Sequence, residues 1–103
     1  MVSKLFGEGA FAQDRQHVLM LMGLFVLSFA LYVSTMSRGI TWLNTGHDGG
    51  DFISAARAFG VPHPTGYPTY TLLLRVFGDV VAIGDHAFRA NLLSALLGAA
   101  TVP

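Results

Sequence analysis

Residues 46 to 70, "GHDGGDFISAARAFGVPHPTGYPTY", place two aspartates, two histidines and three prolines between two strongly apolar stretches. Asp48 and Asp51, three residues apart, fall on adjacent turns of a helix start. Carboxylates there complement unpaired amides and the positive end of the helix dipole, so capping explains both. The other chemistry open to Asp48 is that of a general base, or of an anchor for a cation bound to a phosphate leaving group. Gly49 and Gly50 would let a substrate approach it closely. His47 and His63 are ligand types that would join Asp48 in a metal site, yet their spacing matches no His/carboxylate pattern such as H-E-x-x-H, and no metal ligand is assigned. About nine helical residues, roughly 13 Å at 1.5 Å each, set Asp48 and His63 at opposite ends of a helix unless the following loop folds back. A direct Asp48–His63 dyad is therefore not expected. Tyr67 and Tyr70 read as interfacial anchors ahead of ligand contacts. No nucleophile elbow, phosphate loop or dinucleotide fingerprint is present.

The elements that must hold these residues follow from local signals. "HDGGDFISAARAFG" predicts a helix over about 49–59, with Asp48 as N-cap, Gly60 as its stop and Pro62 just beyond. Phe52, Ala55, Ala56 and Phe59 share one face at helical spacing, while Asp51, Ser54 and Arg57 share another. "VPHPTGYP" excludes regular structure, because each proline lacks an amide donor and restricts its predecessor. A second helix is expected over about 68–82, opened by Pro68, with Arg75 and Asp79 paired four residues apart. Its charges make it a poor membrane span, so both short helices are placed at the bilayer interface. Asp85 is the expected cap of a last helix, at whose start lie His86, Arg89 and Asn91.

Composition supplies the setting. Hydrophobic residues make up 52% of the 103 positions and charged ones only 12%, well below the charge of a soluble domain. The run "VLMLMGLFVLSFALYVSTM" holds no charge and is long enough to cross a bilayer, so 17–37 is read as a transmembrane helix. It exceeds the apolar core of a cleaved signal peptide, the rival reading. Residues 1–16 lack sustained periodicity and are expected as an exposed tail or short interfacial segment. Trp42 suits the headgroup region. Six basic residues balance six acidic ones, which leaves no field for nucleic acid and no charge bias to orient the span. With no cysteine, disulfides and thiolate sites are excluded. The uncharged run after Asn91 is too short to span a bilayer, so residues 86–103 are expected as the start of a second transmembrane helix, truncated. The fold class is all-α and integral to the membrane.

The order of one span, "GHDGGDF", "HPTGYPTY" and "FRANLLSALLGA" resembles the N-terminal part of the protein O-mannosyltransferase-like membrane proteins of the GT-C glycosyltransferase superfamily. These carry a G-D-S-G-E-like segment, an H-P-P-G-Y-P-like loop and an R-x-N-L-like opening of the second span. The resemblance makes Asp48 the catalytic carboxylate and assigns substrate binding to Asp51, His63, Gly66, Tyr67, Arg89 and Asn91. Gly49 replaces the family's Ser, Asp51 its Glu, and Thr65 its second loop proline. It further implies a multi-pass protein, the plasma membrane if prokaryotic, that transfers a sugar such as mannose from a polyprenyl-phosphate donor to a protein or glycan acceptor. A divalent cation is the one cofactor it admits. The N-terminus would be cytoplasmic and residues 38–85 external. This chain alone would be inactive. A non-catalytic membrane subunit and a transporter fragment are the rival functions.

Overall fold

A computed structural model describes residues 2–41 and 47–103, with side chains over 11–41 and 48–103. Four helices follow in order: α1 (Val2–Thr35), α2 (His47–Ala58), α3 (Pro68–Val80) and α4 (His86–Ala100). No strand occurs among the described residues, in keeping with the all-α expectation. Within α1, Phe11–Thr35 is long and apolar enough to cross a membrane, and none of its most apolar window is buried within the chain. A core helix of a soluble protein would be covered; this one presents Val18, Leu19, Met20, Val26, Leu27 and Leu31 outward. The expected N-terminal tail is instead helical from Val2. Once the apolar segment nucleates a helix, each added residue gains a hydrogen bond at little cost, so the helix propagates back through 2–10. Trp42, and the side chain of His47, lie outside the described residues.

α4 runs antiparallel to α1. Asn91 donates from Nδ2 to the carbonyls of Ser37 (2.8 Å) and Gly39 (3.1 Å), while seven residues on, Gly98 lies against the Tyr32 ring. α3 in turn runs antiparallel to α4: Tyr70 Oη lies 3.4 Å from Ser94 Oγ, Leu74 packs with Ala90, and the Gly78 carbonyl meets Arg89. α2 lies parallel to α3, since Phe52 meets Tyr70, Ala56 meets Arg75 and Arg57 meets Asp79. The small core between these three helices is Ala56, Leu74, Ala90 and Leu93, flanked by Phe52, Ile53, Tyr70 and Phe77.

Helix starts follow their signals. Pro68 opens α3, where its missing amide costs nothing. Asp85 caps α4, its Oδ1 accepting from the amide of Phe88 at 2.8 Å. α2 departs from expectation at both ends. It begins at His47, so Asp48 stands in its first turn and not as its cap. At its other end Gly60 donates to the Ala55 carbonyl (2.9 Å), and the left-handed residue is Phe59 (φ 52°), not glycine. This is a Schellman closure with an aromatic at the position that favours Gly. Phe59 consequently leaves the apolar face of α2 and is exposed, with the Arg75 guanidinium 3.6 Å above its ring.

Candidate functional site

Because α2 and α3 are parallel, their N-termini lie at one end, and the chain between them must return the full length of α2. It does so through residues 59–67, and the return brings His63 back to Asp48. His63 Nε2 lies 3.6 Å from Asp48 Oδ1, so the separation expected from helix length is overturned by the folded-back loop.

Three devices fix that loop. Asp51 Oδ2 accepts from the His63 amide at 2.8 Å, which anchors the loop to the N-terminal half of α2. Pro62 is buried beneath it. Thr65 (φ 50°), Gly66 (φ 78°) and Tyr67 (φ 40°) then make three successive left-handed residues, and the Gly66 amide closes on the His63 carbonyl at 3.0 Å. Only Gly66 adopts that geometry freely; Thr65 and Tyr67 each cost on the order of 1–3 kcal/mol, a strain that must be offset by the surrounding contacts. Tyr67 supplies part of the offset as the residue that opens α3, its carbonyl accepting from the amide and hydroxyl of Thr71, both at 3.0 Å.

Rings supply the rest. Phe52 packs edge-on against His63 (5.6 Å), Tyr67 (5.3 Å) and Tyr70 (5.4 Å), and His63 meets Tyr67 at 5.7 Å. Such pairs favour edge-to-face geometry and hold each ring's orientation. His63 Nδ1 lies 3.1 Å from the Pro64 carbonyl, an acceptor that fixes Nδ1 as the protonated nitrogen and turns Nε2 toward Asp48. The Asp48 side chain is largely exposed, at 72%. Phe52 as the hub of this arrangement was not singled out from the sequence; its only signal was its place on the apolar face of α2.

Arg89 and Asn91 lie elsewhere. The Arg89 guanidinium is spent on three carbonyls at the α3–α4 turn, Gly78 (2.7 Å), Gly84 (3.0 Å) and Ile83 (3.2 Å), where the C-terminal end of α3 favours a cation. Asn91 closes the chain leaving α1, as described above. An apolar cavity of about 390 Å³ is lined by Ala55, Phe59, Val61, Pro68, Leu72 and Arg75 among others, and Asp48 takes no part in it. Arg75 is itself held by the carbonyls of Ala56 and Arg57 and by Asp79, so the expected Arg75–Asp79 pair forms (3.7 Å) within a wider group that includes Arg57. Among the described residues no three potential ligands converge on a metal position.

Among the described residues, one exposed, membrane-length apolar helix and a polar pole built from Asp48 and a proline-rich loop define a helical membrane protein. The model of the protein O-mannosyl-transferase TMEM260 N-terminal domain matches residues 48–103, and the chain belongs to that family. It is 40% identical over 70 residues to the mouse protein O-mannosyl-transferase TMEM260, and 30% identical over 77 residues to the Dictyostelium discoideum protein O-mannosyl-transferase tmem260. These matches cover 68% and 73% of this chain but 9% of each relative's length. No solved structure matches.

Proposed function

We propose that the full-length protein is a membrane glycosyltransferase that moves a sugar, mannose by analogy with its relatives, from a polyprenyl-phosphate donor to a protein or glycan acceptor outside the cytoplasm. Asp48 is the general base. The acceptor hydroxyl attacks the anomeric carbon and gives its proton to Asp48; the bond from that carbon to the phosphate oxygen breaks, and its electron pair leaves with the phosphate. Asp51, Gly66 and Tyr67 shape the loop beside it. In the same reading 17–37 is the first span, 38–85 the external loop and 86–103 the entry of a second span, with the N-terminus cytoplasmic.

The observation that carries this reading is the height of the polar pole. Asn91 is level with Ser37 and Gly39, and Gly98 is level with Tyr32, so α4 descends beside α1. Tyr70 is level with Ser94, so the N-terminal ends of α2 and α3, which bear Asp48 and the loop, face the plane where α1 ends. A carboxylate at that plane is where a lipid-linked donor presents its phosphate and sugar.

The test is Asp48→Asn in the full-length protein. Asn keeps the helix-start polarity at a cost of a few tenths of a kcal/mol. The amide cannot take a proton, so turnover falls by about 10²–10⁴ while folding is retained. Wild-type turnover in Asp48→Asn would leave Asp48 with a helix-start role only. Repeating the assay with chelator separates a base from a cation anchor, since only the anchor loses activity on metal removal.

A further inference from the structure

We infer that His63 is a positioning residue for Asp48, holding one carboxylate oxygen so that the other faces the acceptor; this rests on the function proposed above. Three constraints aim the imidazole: the Asp51 carboxylate on its backbone amide, the Pro64 carbonyl on Nδ1, and the Phe52 and Tyr67 rings at its edges and faces. With Nδ1 committed as donor, a neutral ring offers Asp48 a bare Nε2 lone pair, which repels a carboxylate. The 3.6 Å approach of Nε2 to Asp48 Oδ1 is attractive only when one further proton lies on the pair. With that proton on Nε2, the N–H donates to Oδ1 and leaves Oδ2 as the oxygen that receives the acceptor proton. A gap of 3.6 Å exceeds a hydrogen bond and closes by a small rotation of the exposed Asp48 side chain, as catalytic contacts commonly do when substrate arrives. This role differs from substrate binding, in which His63 would touch the donor or acceptor directly.

The experiment compares Asp48→Asn, His63→Ala, His63→Gln and the double variant Asp48→Asn/His63→Ala in the full-length protein, with kcat and KM measured for transfer from a polyprenyl-phosphate-linked mannose. His63→Ala should lower kcat on the order of ten- to a hundredfold and leave KM for the donor unchanged. His63→Gln, whose amide reaches the Nε2 position as a donor, should restore most of that loss. The double variant should be no slower than Asp48→Asn alone, because His63 acts only through Asp48. A double variant slower by the product of both single losses, or a loss confined to KM, overturns the inference in favour of direct substrate contact. A ¹⁵N spectrum of the His63 ring gives a readout independent of turnover. Nδ1 should appear protonated, and the Nε2 resonance should move in Asp48→Asn. If Asp48→Asn retains full turnover but the Nε2 resonance moves, the contact stands and the glycosyltransfer reading of Asp48 fails. An Nε2 resonance indifferent to Asp48 removes the contact itself.

Discussion

The α1–α4 pair and the α2–α3 unit are both helical but are held together in different ways. Below the Ser37–Asn91 contact, α1 meets α4 through small and aromatic groups, with Gly98 against Tyr32 and with Ala95 and Ala99 buried, while long apolar side chains point outward. Close approach through small residues is how helices associate when the surroundings are as apolar as their own side chains. Above that contact, stability comes from a small core and from side chains that satisfy backbone groups, Arg89 and Arg75 at carbonyls and Asp51 at an amide. One half is kept together by fit, the other by satisfying the backbone of short helices and a strained loop.

Replacing residues of similar exposure in the two halves tests that contrast most directly. Leu27 and Val80 are 69% and 76% exposed. Leu27→Lys should weaken membrane insertion by about 3 kcal/mol, read as lost integration in a glycosylation-tag assay. Val80→Lys should stay within about 0.5 kcal/mol of wild type. Comparable effects at both sites would erase the distinction. Arg89→Ala, which strips three carbonyls of a charged donor, should cost about 3 kcal/mol in thermal unfolding in detergent, and Arg89→Lys should recover only part of it. Next comes Gly84→Ala at about 2 kcal/mol, because φ is +65° and a Cβ would stand 2.7 Å from the Phe88 ring. Asn91→Ala, at the junction of the halves, should cost about 1 kcal/mol and increase proteolysis of 36–41. The smallest change belongs to the Arg57–Asp79 pair. Both side chains are more than two-fifths exposed, so a double-mutant cycle should return below about 1 kcal/mol and decline with salt.

Features decided by neighbours in sequence were legible before the structure. Pro68 and Asp85 open their helices where local rules put them, and the uncharged run from Val18 marks the membrane-length helix. Features decided by distant backbone were not. The return of His63 to Asp48 depends on Asp51 reaching an amide twelve residues away and on left-handed geometry at Phe59, Thr65 and Tyr67, residue types that give no sign of it. The spacing of Phe59 fits the apolar face of a helix that in fact closes one residue earlier. The partners of Arg89 and Asn91 are carbonyls, which carry no side-chain identity for a motif to display. A family resemblance therefore locates the residues of the pole but not the contacts that shape it.

The Asn91 side chain bridges to carbonyls 52 and 54 positions earlier. At a synthesis rate of about 5–20 residues per second, those carbonyls emerge roughly 3–11 seconds before their partner exists. For that interval α1 has no α4 beside it, and the core that α2 and α3 share with α4 lacks Ala90 and Leu93. The timing of translation, and any factor that shields a newly made helix end, thus bears directly on whether this pole assembles.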